Sequence, residues 1–337
     1  MNAIVLSPAL ALLSLFSIQA QDAKPAKNAE SHDLWLTDFA AAKAQAKKQH
    51  VDILMDFTGS DWCGWCIKLH QEVFDTGEFQ KEIGKHFVLL ELDYPQKKKL
   101  PEALVKQNDE LKDAFAIEGY PTIMLVDDEG KPYAQTGYQP GGPTAYLKHL
   151  GELKQKHAAR DAAFVKAATL KGVDKAKALS AGLDALDKGH RPHYAEVMDQ
   201  ICELDADNKA GLKEKIGAEQ IAIAMASKVR TFQGKVGEHF QKRDFKPVGE
   251  LVDAFITEEK PEGSNLQQVL YLKSIALANQ KEFKAAAEVM QKALDADPSG
   301  ERVAMLKNNL KQFEQLAKNP PKGEDGESGD NKKKDGK

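Results

Sequence analysis

Cys63-Gly64-Trp65-Cys66 places two thiols two residues apart in a chain that has only three cysteines among 337 residues. Thiols at this spacing suit disulfide exchange. One thiolate attacks a disulfide, and the second lies close enough to release the mixed disulfide by attacking it in turn. The setting reinforces the spacing. Val51 to Phe57 is an apolar run broken only by Asp52 and Asp56, the pattern of a buried strand, and the chain turns helical from Trp62 to about Val73. A cysteine at a helix start meets unpaired N–H groups and the positive end of the helix dipole, which lower its pKa from about 8.5 toward 7. Cys63 is therefore the expected exposed nucleophile and Cys66 the buried resolving thiol. Two other readings share the spacing. Half a zinc site would need further ligands, which His70 and His86 do not offer at the usual spacing; a purely structural disulfide needs nothing more.

The elements that must hold this pair are legible on either side. Residues 34–50 read as a helix opening near Thr37, its N-cap, with Phe39, Ala42 and Ala46 on one face. After the cysteines come a short helix over Glu78–Lys85, a buried strand over Phe87–Leu92, and a helix over Pro101–Phe115 with Leu104, Leu111 and Phe115 inward. Thr122–Val126 and Pro132–Thr136 form a hairpin about the turn Asp127–Lys131, and a last helix begins near Thr144. Strands separated by helices imply parallel pairing with an antiparallel hairpin at the edge, hence a mixed sheet flanked by helices in an α/β domain over residues 31–150. From residue 151 to 318 no strand pattern survives. Amphipathic helices follow one another with breaks at Gly172, Gly189–Pro192, Asp205–Asn208, Lys260–Ser264 and Pro298–Gly300. The segment Leu266–Pro298 reads as a helix pair like one tetratricopeptide unit, and its end repeats Ala195–Asp207. Stacked helix pairs leave a concave face for a protein partner; with one clear unit, an irregular helical bundle is the alternative.

Composition bounds the function. With 42% hydrophobic and 29% charged residues and a net charge of −4, the chain lacks the one-sided basic surface of a nucleic-acid binder. Ala3–Ile18 is apolar but shorter than a spanning helix, and a polar stretch follows it. It reads as a signal peptide over residues 1–20 cut after Ala20, with a linker over 21–30, giving a periplasmic or secreted protein with no membrane span after cleavage. Residues 319–337 read as a disordered tail.

Asp56-Phe-Thr-Gly-Ser-Asp-Trp-Cys-Gly-Trp-Cys66, followed by Gly119-Tyr-Pro-Thr122, resembles the thioredoxin superfamily. Within it, the likeness is to bacterial thioredoxin-like proteins that read D-F-T-G-S-x-W-C-G-W-C, and it covers about Leu34 to Leu150. The resemblance implies a thioredoxin fold. It makes Pro121 the family's cis-proline, with the Tyr120 backbone exposed to pair with an extended substrate; a trans-proline opening a strand is the plainer alternative. It makes Asp56 the buried acid that assists proton transfer at Cys66. The loop from Asp56 to Cys63 is one residue longer than usual, so a strand-end carboxylate in water is the alternative there. Thr136 and Gly137 match the position where a substrate backbone approaches, and Trp62 walls the site. Gly64-Trp65 replaces the Gly-Pro of thioredoxins proper and so changes the reduction potential, and the absence of a histidine or second proline between the cysteines leans the reading toward reduction. The substrate-binding set is thus Trp62, Gly64, Trp65, Tyr120, Pro121, Thr136 and Gly137.

The expectation is an exported thiol–disulfide oxidoreductase that acts on protein disulfides and exchanges electrons with an upstream dithiol donor or acceptor. No metal, nucleotide or other cofactor is expected besides the Cys63–Cys66 disulfide. A disulfide isomerase or oxidant, and a binding or adaptor protein that uses the helical domain, are the rival readings. Cys202 reads as a small buried apolar residue.

Overall fold

The computed structural model describes residues 34–300 and 302–320. The leader, the linker and the tail beyond residue 320 fall outside these residues. The chain divides between Ala158 and Ala159 into two compact units. Sequence placed this boundary at residue 150, within a helix that runs from Gly142 to Ala168.

In the first unit the order is β1 (Trp35–Leu36), α1 (Phe39–Gln49), β2 (Asp52–Thr58), α2 (Gly64–Leu69), α3 (Gly77–Ile83), β3 (Phe87–Asp93), α4 (Glu102–Ala114), β4 (Thr122–Val126), β5 (Pro132–Thr136) and α5 (Gly142–Ala168). The sheet order is β1-β3-β2-β4-β5. β3 runs parallel to both β1 and β2, whereas β4 is antiparallel to β2 and β5. The helix before β4 had implied a parallel crossover, and this is corrected: the antiparallel part begins inside the sheet, at β2–β4. β1 also went unread, because two residues carry no periodicity. α1 starts at Phe39, with Asp38 rather than Thr37 as its N-cap; the Asp38 carboxylate accepts from Ala41 N–H at 2.7 Å.

β2 lies between β3 and β4, and all seven of its residues are buried, which is why it reads as a continuous apolar run. Side chains alternate across the sheet. Ile53, Met55 and Phe57 join Ala42, Ala46 and Phe115 in one core layer. Asp56 therefore lies on the opposite face, which α2 and the turn after it cover. The expected inward row of α4 is partly corrected. Leu104 and Leu111 are only half-buried, and the buried residue of that helix is Asn108, whose Nδ2 donates to the Asp93 carbonyl at 3.0 Å.

The second unit contains α6 (Gly172–Asp184), a 3₁₀ turn (Lys188–Tyr194), α7 (Ala195–Leu204), α8 (Leu212–Gln241), α9 (Val248–Glu259), α10 (Gly263–Asn279), α11 (Phe283–Ala296) and α12 (Val303–Lys318). Val229, Val236, Val252 and Val269 knit α8 to α9 and α10, and Met290, Leu306 and Phe313 join α11 to α12. The break at Lys242–Pro247 was not foreseen; Arg243 there takes a left-handed φ of 54°. Among the described residues, no helix is long and apolar enough to cross a membrane.

Candidate active site

β2 ends at Thr58, and the chain turns at once. Cys63 N–H donates to the Gly59 carbonyl at 2.9 Å, which closes a short loop and delivers Cys63 to the head of α2. Cys63 is the N-cap of that helix, and its Sγ accepts the Cys66 N–H at 3.2 Å. A sulfur in this position receives what an N-cap oxygen normally would, so the free N–H groups of the first turn favour the thiolate. The two sulfurs are joined as a disulfide. Cys63 is 7% exposed and Cys66 is 0% exposed, so both are enclosed and Cys63 is not the exposed thiol expected. Trp62, 41% exposed, and Trp65, 58% exposed, stand on either side of it.

Each tryptophan is held by named partners. Trp62 Nε1 donates to the Tyr94 carbonyl at 2.7 Å, and its ring meets Tyr120 edge-on at 5.8 Å. An added Cβ at Gly59 would lie 2.6 Å from the Trp62 ring, so only glycine lets the indole fold back over the loop. The Trp65 ring lies 5.1 Å from that of Tyr138, with the Lys68 ammonium 5.1 Å and 5.0 Å from the two ring centres. Such cation–π contacts hold an exposed indole in place. The Tyr138 hydroxyl donates to Glu72 at 2.6 Å. Gly64 takes the first helical position, is exposed, and has open space where a side chain would be.

The loop carrying the pair is clamped to the end of β3. Asp93 accepts from the Ser60 N–H at 2.9 Å and from the Ser60 hydroxyl at 2.6 Å, and Lys98 lies 3.3 Å away. Asp61 accepts from the N–H groups of Gln96 and Lys97 at 2.9 and 2.8 Å, which hold its carboxyl below the usual carboxylate range. Hydrogen bonds to a charged partner are each worth ~1.5–3 kcal/mol. Asp93→Ala is therefore expected to destabilise the first unit by about 2 kcal/mol. All three tryptophans, Trp35, Trp62 and Trp65, fall in that unit, so urea unfolding followed by tryptophan fluorescence reads it separately. An unchanged midpoint would show that the clamp is ornamental.

The bond between Tyr120 and Pro121 is cis. A Cβ on Gly137 would come 3.1 Å from the Pro121 carbonyl, so β5 and the proline loop touch at this glycine. The Thr136 hydroxyl is engaged with His149 Nε2 at 2.8 Å, which leaves Gly137 as the member of that pair lying against the proline loop. Tyr120 is half-buried beneath the Lys112 ammonium, 5.7 Å from its ring.

Asp56 is fully buried and faces inward, not toward water. Its Oδ2 lies 2.8 Å from His70 Nε2, and its Oδ1 makes no hydrogen bond. Burial pushes the Asp56 pKa up, partly offset by His70, and the charge of Asp93 adds to the rise. Burial would lower His70, but its bonds to Asp56 and Asp75 and the charges of Asp56 and Glu91 push it up to about 10. His70 was considered in the sequence only as a zinc ligand and set aside. Its spacing from Cys66 was the available signal, since residues four apart on a helix share a face. From His70 to Phe74 the helix widens into a π turn, a distortion frequent at functional sites that apolar periodicity does not show.

Cys202, in the second unit, is partly exposed rather than buried; its Sγ lies 3.9 Å from Gln220 Oε1, and burial pushes its pKa up. Among the described residues, no group of three or more His, Cys, Asp or Glu side chains is placed to hold a metal ion.

A family model described as a thioredoxin-like domain matches residues 39–152. The chain is 40% identical over 112 residues to the disulfide bond reductase DsbH of Chlamydia pneumoniae, a match that covers 33% of this chain and 68% of that protein. It is 32% identical over 134 residues to the thioredoxin-related protein DsbJ of the same organism, covering 40% of this chain and 37% of that one. A solved structure of a DsbH oxidoreductase is 34% identical and covers 41% of this chain and 94% of its own, with a TM-score of 0.34.

Proposed function

The chain belongs to the thioredoxin-like family of thiol–disulfide oxidoreductases, and from that premise we propose that it reduces disulfides in protein substrates outside the cytoplasm. The observation that carries this reading is the Cys63 sulfur at the head of α2, accepting the Cys66 N–H and set between two exposed tryptophans. In the reducing direction, the Cys63 thiolate attacks a substrate disulfide and forms a mixed disulfide. Cys66 then attacks Cys63, and the substrate leaves reduced. The oxidised pair returns to the dithiol through an upstream dithiol donor. Asp56, beneath the α2 side of the sheet, is the proton acceptor for Cys66. The Trp62 and Trp65 walls, the Tyr120–Pro121 loop and Gly137 form the groove for an extended substrate segment.

Two features favour reduction over oxidation or isomerisation. No histidine stands between the cysteines, and the relative of 40% identity is named a disulfide bond reductase. The apolar stretch Ala3–Ile18 followed by polar residues supports export. The helical unit serves in this reading to engage a protein partner.

The test is the equilibrium of the Cys63/Cys66 couple against a glutathione series in the full chain. A potential near the thioredoxin end, about −270 mV, is expected. A value of roughly −180 to −120 mV would reassign the protein as an isomerase or oxidant. The lack of a reversible couple would sink the enzymatic reading.

A further inference from the structure

The second chemical step leaves a proton to be placed. As Cys66 attacks the Cys63–substrate disulfide, the Cys66–Cys63 bond forms and the Cys63–substrate bond breaks. The substrate sulfur departs with the electron pair, and the Cys66 proton must be taken up by a base. Asp56 is buried and has one oxygen, Oδ1, without a hydrogen bond. A lone buried carboxylate tends to neutralise itself and cease to be a base. The charge next to it decides whether it serves.

We propose that His70 is the positioning residue that keeps Asp56 a carboxylate for the resolving step at Cys66. The inference rests on the thiol–disulfide reading above. Its geometry is a chain of contacts. Cys66 and His70 lie one helical turn apart, and the backbone N–H of His70 donates to the Cys66 carbonyl. His70 Nε2 meets Asp56 Oδ2 at 2.8 Å. Its Nδ1 lies 3.7 Å from Asp75 Oδ1, and the Asp75 side chain is 39% exposed. The ring thus stands between a fully buried acid and a partly exposed one. That ring is packed against Phe74, centroid to centroid 5.1 Å, and Trp35 at 5.8 Å, which fixes its plane. The other groups facing the pair are Glu91 and Asp93 of β3, acting on His70 and Asp56 respectively, and Tyr146 of α5. Both charged neighbours from β3 are acidic, and His70 is the cation in direct contact with Asp56. Removing it disfavours the carboxylate, raises the pKa of Asp56, and moves the acid limb of the resolving step to higher pH.

The test uses the reduced full chain in a Cys202→Ala background with dithiobis(nitrobenzoate) as probe, following the released thionitrobenzoate. Attack by Cys63 releases the first equivalent, and resolution by Cys66 releases the second. In His70→Gln, the acid limb of the second phase is expected to move upward by about one pH unit or more, the scale on which an opposite charge within ~4–6 Å acts. The first phase should keep its profile, and His70→Lys, which restores the charge, should return the limb toward its original position. A second phase in His70→Gln that titrates as in the parent overturns the inference alone. Where His70→Gln does not fold, His70→Lys decides: a limb displaced upward despite the retained charge overturns it. A parent protein that shows no second phase overturns the thiol–disulfide reading itself, and the inference with it.

Discussion

Cys63→Ser is expected to abolish thiol–disulfide exchange, and Cys66→Ser to convert the protein into a trap that stays covalently joined to what it attacks. The asymmetry follows from access and from the helix start. Cys63 caps α2, and its sulfur receives an N–H, so it is the thiol held as a thiolate; Cys66 lies 0% exposed behind it. With serine at position 66, attack proceeds but nothing nearby attacks the mixed disulfide. Non-reducing gels of the Cys66→Ser protein incubated with a disulfide-bonded substrate should show a higher-mass band that dithiothreitol removes. Capture by Cys63→Ser instead of Cys66→Ser would reverse the two roles.

Stability of the first unit should fall as pH rises from 6.5 toward 10, with a slope approaching 1.4 kcal/mol per pH unit, that of one proton. The source is His70, for which burial alone would lower the pKa but the bonds to Asp56 and Asp75 raise it to about 10. Below pH 6.5 the histidine is protonated in both folded and unfolded chains, and its contribution is complete. Between 6.5 and 10 the folded chain keeps a proton that the unfolded chain has released, so stability declines, and it is lost as pH passes through 10. Urea unfolding read by tryptophan fluorescence should show the slope in the parent and flatten in His70→Gln. A parent profile that is flat from 6.5 to 10 would mean that His70 is neutral in the fold.

What the sequence made legible and what it hid divide along physical lines. The cysteine pair, the buried run of β2 and the β4–β5 hairpin are local patterns: spacing, apolar continuity, and a turn between two short runs. Their placement could be read without knowing their neighbours. The direction of β4 was misread because periodicity tells which face of a strand is buried but not which strand lies beside it. Asn108 was missed on α4 because its burial depends on the Asp93 carbonyl, fifteen residues away in the chain. His70 was missed because its partner, Asp56, comes from the sheet below; the four-residue spacing from Cys66 marked its face of the helix but not what that face meets. The break after α8 escaped because Lys242 to Lys246 contains neither glycine nor proline, and Pro247 stands at its far end.

The clamp formed by Asp93 and Asp61 has a consequence for recognition. None of its bonds involves sulfur: Ser60, Gln96 and Lys97 are held by carboxylates, and Trp62 by the Tyr94 carbonyl. None of them has to break when the disulfide opens to a dithiol, so the rim is expected to keep its shape through electron transfer. On the proposed function, preference for one oxidation state then comes from the two sulfur atoms and the proton that Cys66 gives up, with the same rim offered to a substrate in both states.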